Sequence, residues 1–228
     1  MDRTDPDYAP LDFVAARQRM VDAQIRPSQV GNAAIIAAMR AVPRERAVPD
    51  ALRAFAYCDQ NLPLGEGRYL TEPRVTGRML QVADLRHGER VLVVAAGTGY
   101  LAALLGAMAL ELHVIALESE SRLATTGKAL CAACAPGVQW CDGPLVKGAP
   151  ASAPYDLIFI DGAVRTVPQA LVAQLAQGGR IIAPICPASG VTSVSRVAAT
   201  EQGSAVQPLF EAAVPLLPEL APAPAFVF

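Results

Sequence analysis

The sequence predicts an α/β fold: a mostly parallel sheet with helices on both faces, ending in an antiparallel hairpin. Three observations carry that expectation. Short apolar runs without polar alternation recur at Arg90-Val91-Leu92-Val93-Val94, Val114-Ile115-Ala116-Leu117, Leu157-Ile158-Phe159-Ile160 and Arg180-Ile181-Ile182-Ala183-Pro184. Strands buried on both faces read this way. Helical segments alternate with these runs across short loops, the order expected of a parallel sheet. After Pro187 the helical patterning stops, and residues 191–197 and 205–213 alternate as antiparallel strands do.

The N-terminal third has a different character. Residues 1–11 are polar and hold Pro6 and Pro10, so they read as a loose tail. Phe13, Val14, Met20, Val21 and Ile25 give residues 12–26 an apolar helical side, and Pro27 should end that helix by pushing residue 26 away from helical angles. A second helix is expected over 32–41, broken by Pro43, and a short third over 50–56. Residues 59–74 hold Pro63, Gly65, Gly67 and Pro73 and read as an irregular segment of the kind that often carries function. Residues 75–85 look helical again.

From Glu89 onward the elements follow in regular order. The strand at 90–94 enters a turn, a helix runs over 100–109, and a second strand covers 114–117. A helix over 121–133, a short strand at 138–140 and the strand at 157–160 come next. A helix at 167–174 then precedes the strand at 180–184, with Gln177-Gly178-Gly179-Arg180 as the turn between them. The expected division is an N-terminal helical extension with a loop over 1–75 and the α/β unit over 76–228, forming one compact body.

Composition removes several function classes. The 228 residues are 53% hydrophobic and 18% charged, enough for a sizeable core, and the net charge of −2 shows no basic excess for a nucleic-acid surface. No uncharged run is long enough to cross a bilayer. Five cysteines with no secretory signal before them point to free thiols in a reducing cytoplasm. Cys131 and Cys134 have C-x-x-C spacing, but no second pair or suitably placed His87 or His113 completes a zinc site, so no metal is expected.

The chemistry centres on the turn Ala96-Gly97-Thr98-Gly99 after the first buried strand. Glycines there let a ligand approach the backbone, and the helix that follows offers free N–H groups. Glu118 ends the second strand about twenty residues on, where a carboxylate can accept hydrogen bonds from ribose hydroxyls. A tight strand–helix turn with a solvated Glu is the plainer reading of the same residues. Asp142-Gly143 follows the third strand, either as an adenine-side acid or as an ordinary turn. Asp161 ends the fourth strand and should face the same cleft.

These residues resemble the protein-L-isoaspartate O-methyltransferase family over about residues 20–184. The resemblance runs through Ala38-Met39-Arg40-Ala41-Val42-Pro43-Arg44-Glu45, Val48-Pro49 and Ala56-Tyr57-Cys58-Asp59. Its most diagnostic stretch is Leu62-Pro63-Leu64-Gly65-Glu66-Gly67-Arg68-Tyr69-Leu70-Thr71-Glu72-Pro73, similar to the family's substrate loop. The resemblance implies a Rossmann-like, doubly wound, mostly parallel seven-stranded sheet. It implies S-adenosylmethionine as cofactor and an isoaspartate-bearing protein or peptide as methyl acceptor. Thr71 falls where the family places a substrate-side hydroxyl. Ala96, Gly97, Thr98 and Gly99 match the cofactor turn, Glu118 the ribose acid, and Asp142-Gly143 the adenine-side pair.

Val93 stands where the family usually has an acid, and Ala95 where it has Gly. Loss of the acid removes a contact worth about 1.5–3 kcal/mol. If the chain is a degenerate member of the family, Val93→Asp with Ala95→Gly is expected to strengthen cofactor binding. Glu72, beside Thr71, would repel a carboxylate unless Arg68 or Arg74 offsets it. Two alternatives keep the fold: a degenerate member acting as a binding or scaffold protein, and a methyltransferase with another acceptor. A nicotinamide-dependent dehydrogenase is disfavoured by the 62–73 segment and the antiparallel pattern after residue 190, and a nucleic-acid methyltransferase by the acidic balance.

Overall fold

The computed structural model describes residues 11–200 and 203–220. The tail expected at 1–11 therefore lies almost wholly outside the described residues, as does most of the Pro/Ala-rich end.

The first element is α1, Phe13–Met20, capped by Asp12 Oδ1 accepting from the Ala15 N–H at 3.0 Å. It passes into a π-helical turn at Val21–Ile25 and a 3-10 turn at Arg26–Ser28. Arg26 keeps helical angles, so Pro27 does not stop the helix where the sequence suggests; the chain tightens and Gln29 ends it at φ 65°. The pre-proline bias is a local preference, and here Val21, Ile25 and Val30 are buried in the core and override it. Next comes α2, Ala33–Ala41, with Asn32 accepting from the Ala34 and Ile35 N–H groups as its N-cap. A 3-10 turn covers Asp50–Phe55.

Residues 59–74 are not irregular throughout. They form a small antiparallel hairpin, β1 (Leu62–Gly65) and β2 (Arg68–Leu70). Gly65, Glu66 and Gly67 all take positive φ (93°, 53° and 69°), so the residues that read as loop makers are the reversal itself. Helix α3, Pro73–Val82, follows with Pro73 in its first turn.

The main sheet has seven strands: β3 (Arg90–Val94), β4 (His113–Glu118), β5 (Gln139–Asp142), β6 (Tyr155–Ile160), β7 (Leu175–Ile185), β8 (Ser193–Thr200) and β9 (Gly203–Glu211). Their spatial order is β5-β4-β3-β6-β7-β8-β9, with β8 antiparallel to both β7 and β9 and the other neighbours parallel. The order reverses between β3 and β4 on one side and β6 on the other, and ligands of open α/β sheets bind at the strands' carboxyl ends beside such a switch. Helices α4 (Tyr100–Ala107) and α5 (Ser121–Cys134) connect the first parallel strands.

Val91 and Val93 face one apolar cluster, which includes residues of α2, α3, α4 and α5. Leu92 and Val94 face the other, built with Leu145, Leu171, Val172, Leu217 and Leu220. Helical cover is thinner on this second face. The helix expected over 167–174 is only α6, Gln169–Val172, because β7 begins early at Leu175. The expected Gln177–Arg180 turn is a bulge inside β7. Gly178 takes φ 75°, and a Cβ on Gly179 would sit 2.8 Å from the Tyr155 carbonyl oxygen. Among the described residues no helix is long and apolar enough to cross a membrane.

A buried ion pair closes the sheet's amino edge. Arg180 Nη1 and Nη2 donate to Glu89 Oε1 and Oε2 at 2.8 and 3.0 Å, and Arg180 also reaches the Ala83 and Asp84 carbonyls. That pairing clamps β7 to the segment leading into β3.

Candidate active site at the carboxyl edge of the sheet

The turn after β3 is left-handed at three of its residues. Ala95, Gly97 and Gly99 take φ of 61°, 56° and 78°. A left-handed conformation costs a residue bearing a Cβ about 1–2 kcal/mol, so Ala95 carries strain where the resemblance expects Gly. Gly99 is the N-cap of α4. A Cβ there would lie 2.8 Å from Gly127 Cα in α5 and 3.0 Å from the Trp140 ring. Gly99 therefore serves close packing of helix, strand and turn. Gly97 is more open: its Cβ would meet Leu64 of the β1–β2 hairpin at 3.7 Å, an ordinary contact. Ala96 N–H donates to the Leu117 carbonyl, and the Thr98 hydroxyl donates to the Ala47 carbonyl at 2.6 Å.

Glu118 ends β4 directly beside this turn and is 1% exposed. Its Oε2 accepts from the Gly97 N–H at 2.6 Å and from Arg68 Nη2 at 2.9 Å. Its Oε1 accepts from Arg68 Nη1 at 2.8 Å and from the N–H groups of Ser119 and Glu120 at 2.9 and 3.0 Å. Arg68 comes from β2 and is 2% exposed. The guanidinium lies on the carboxylate as a two-pronged fork, and Glu219 adds a contact to Arg68 Nη1 at 3.2 Å.

Thr71 and Asp161 meet at the same edge. Thr71 Oγ1 donates to Asp161 Oδ1 at 2.9 Å, and the Asp161 N–H continues the ladder to the Val94 carbonyl. Burial raises the Asp161 carboxyl pKa to about 6, against the opposing pull of the Thr71 hydroxyl, Arg68 and Arg44. Arg44 fixes Thr71 from behind. It is fully buried, donates Nη2 to the Thr71 carbonyl and Nε to the Ala56 carbonyl, both at 2.7 Å, and lies 4.9 Å from the Tyr100 ring centroid. Glu72 turns elsewhere: its carboxylate is 3.5 Å from Arg74 Nη2, and it lines a separate groove with Arg74 and Arg78.

The structure thus gathers Thr71, Ala96, Gly97, Glu118 and Asp161 at one end of the sheet. Asp142 is the register partner of Glu118 on the neighbouring strand, and its largely exposed side chain lies with its carboxylate 3.4 Å from Lys128 on α5. Gly143 joins the edge through its N–H, which donates to the Glu118 carbonyl. Sequence reasoning weighed Arg68 only as an offset to Glu72 and did not pick out Arg44 or the Leu217–Leu220 segment. The clue to Arg68 is its place three residues before Thr71 in β2, where burial runs B-e-B and turns residues 68 and 70 inward. Among the described residues no cluster of His, Cys, Asp or Glu is arranged to hold a metal.

Comparison with known proteins bears on this edge. The sequence profile of the Protein-L-isoaspartate(D-aspartate) O-methyltransferase family matches residues 15–216. A protein-L-isoaspartate O-methyltransferase of Methylorubrum extorquens (strain PA1) is 41% identical over 181 residues, covering 79% of this chain and 78% of that protein. One of Methanoculleus marisnigri is 37% identical over 172 residues, covering 75% and 77%. Among solved structures, a protein-L-isoaspartate O-methyltransferase superposes with a TM-score of 0.76 at 23% identity, over 90% of this chain and 67% of that one. A putative Plasmodium falciparum protein of the same description, in complex with S-adenosyl-L-homocysteine, gives 0.73 at 17% identity, over 92% and 100%. These two likenesses show the seven-stranded Rossmann-like fold, and the sequence matches go further: the chain belongs to the protein-L-isoaspartate(D-aspartate) O-methyltransferase family.

Proposed function

We propose that this chain transfers a methyl group from S-adenosylmethionine to the carboxylate of isoaspartyl residues in proteins. Family membership over most of the chain supports the reaction. At the site, one observation carries it: the Thr71 hydroxyl already holds a carboxylate oxygen, that of Asp161, at 2.9 Å. An isoaspartyl carboxylate is ionised near neutral pH and is itself the nucleophile. The protein then needs a donor that fixes one oxygen and a water-poor setting, and no strong base. Arg44 supplies the rigidity, since its hydrogen bond to the Thr71 carbonyl holds that donor in place.

The cofactor does not fit the residues as they are arranged in this structure. A carboxylate offers about four lone-pair sites, and five N–H groups from Arg68, Gly97, Ser119 and Glu120 already converge on Glu118. None is left for ribose hydroxyls. Leu64 covers the open side of Gly97. The cavity beside Thr71 and Asp161 holds only about 10 Å³, room for about one water. A groove of about 750 Å³ on the side of Glu72, Arg74 and Arg78 touches none of Gly97, Glu118 or Asp161.

Five unbonded thiols support a reducing compartment such as the cytoplasm. The reaction is tested by incubating the chain with methyl-labelled S-adenosylmethionine and paired peptides that differ only in isoaspartyl or aspartyl linkage. Alkali-labile label on the isoaspartyl peptide alone is the expected result. Label on neither, or equally on both, removes the proposed activity.

A further inference from the structure

The residues that fill the carboxyl edge come from two segments remote from it in sequence, and both are tied down. The β1–β2 hairpin brings Arg68 onto Glu118 and Leu64 over Gly97. Arg122 of α5 anchors it by donating to the Leu64 carbonyl at 2.6 Å. The segment after β9 crosses the same edge. The Ala163 N–H donates to the Pro215 carbonyl at 2.9 Å, and the Leu217 N–H donates back to the Ala163 carbonyl at 2.8 Å. Leu217 sits so tightly over Gly162 that a Cβ there would lie 2.6 Å from it. Pro218 meets Gly67 of the hairpin in the same way, at 2.8 Å.

The two segments also bond to each other. Glu219 reaches Arg68, and Asn61 Nδ2 donates to the Ala213 carbonyl at 2.7 Å. Leu217 and Leu220 belong to the apolar cluster that includes Ala95, Leu117 and Leu145. Residues 217–220 follow directly on the stretch that the family profile matches.

We propose that the hairpin and the Pro215–Leu220 segment together form an intrachain plug in the cofactor cleft. Arg68 stands in for the ribose at Glu118, and Leu217 and Leu220 fill the apolar space beside it. Cofactor enters only when Arg68 leaves Glu118 and the segment lifts from Gly162. The plug holds itself by ion pairs, Glu118 and Glu219 sharing one guanidinium, and by an apolar seal, so its opening sets how tightly cofactor binds. The proposal rests on the reading that S-adenosylmethionine is this chain's cofactor.

The test is calorimetric titration of S-adenosylhomocysteine into three chains: the wild type, Arg68→Gln, and a chain ending at Pro215. Hydrogen exchange on the wild type with and without S-adenosylhomocysteine accompanies it. The plug predicts that each variant binds roughly 10- to 100-fold more tightly than the wild type. It also predicts that ligand speeds exchange of the amides at residues 64–70 and 215–220 in the wild type. If a variant fails to fold, the exchange measurement decides alone: slowed or unchanged exchange with ligand bound overturns the plug. Equal affinity of all three chains overturns the plug while leaving the cofactor reading intact. No binding to any of them overturns both.

Discussion

Gly97 and Gly99 look equivalent in the sequence, and the structure makes them unequal. Both take left-handed angles, so replacing either by Ala brings backbone strain of about 1–2 kcal/mol, partly offset by about 0.5–1 kcal/mol as the unfolded chain loses glycine's freedom. At Gly97 nothing more is added, because the new methyl makes only ordinary contacts, with Leu64 at 3.7 Å and the Ala95 carbonyl oxygen at 3.9 Å. At Gly99 the methyl would press on Gly127 Cα at 2.8 Å and on the Gly127 carbonyl oxygen at 3.1 Å, backbone atoms of α5 that cannot swing away. Overpacking of this kind costs about a further 1–3 kcal/mol. For a chain of this size that difference corresponds to about 2–12 °C in melting temperature. Differential scanning calorimetry on Gly97→Ala and Gly99→Ala, with no ligand added, should show the Gly99 variant melting lower by an amount in that range. Equal melting temperatures, or a greater loss at Gly97, would refute the assignment of Gly99 to packing.

Three further outcomes follow from the same geometry. Ala95→Gly relieves a left-handed alanine (φ 61°) but removes a methyl buried in the second apolar cluster; a net relief of about 0.5–1 kcal/mol against about 0.8 kcal/mol for the methyl should leave the urea midpoint nearly unchanged, and a large shift in either direction would contradict it. Arg44→Met removes two hydrogen bonds from a buried guanidinium to carbonyls. The loss should be about 2–4 kcal/mol after relief of its desolvation, with Arg44→Lys intermediate in urea unfolding; an unchanged midpoint for Met would show that Arg44 does not hold Thr71. Asp161 has a folded pKa of about 6, above its unfolded value. The folded state therefore binds the proton more tightly, and wild-type stability should fall as pH rises from about 4 through 6. Relative to Asp161→Asn that fall amounts to at most about 3 kcal/mol; a pH-independent difference between the two would show that the carboxyl is not perturbed.

The elements that repeat a local pattern were legible in the sequence. The apolar runs at 90–94, 114–117 and 157–160 each fall within a buried parallel strand, and the alternating stretches after residue 190 lie largely within β8 and β9. Misreadings arose where local preference met a distant partner. Pro63, Gly65 and Gly67 read as loop, yet the glycines turn a hairpin that is held against α5. Gly178 and Gly179 read as a turn, yet they let β7 bulge past Tyr155. Val93 stands where the family resemblance expects an acid that holds the cofactor; it is fully buried in the apolar cluster beneath the turn. An aspartate substituted there would face that cluster, so restoring the acid costs stability as well as changing the site.

The site was legible as a set of residue types and illegible as a state. Glu118, Gly97, Thr71 and Asp161 could be named because each sits at a strand end or in a motif. That Glu118 would be saturated by Arg68, fifty residues earlier, depends on the hairpin folding over the sheet edge. That Asp142 would lie on Lys128 depends on how α5 packs beside β5. Neither is written in spacing along the chain.

The most direct test is a crystal structure of the chain with S-adenosylhomocysteine. The account predicts the ribose hydroxyls on Glu118, Arg68 displaced from that carboxylate, and the Leu217–Leu220 segment lifted from Gly162. Ligand bound with the Arg68–Glu118 fork intact would contradict it.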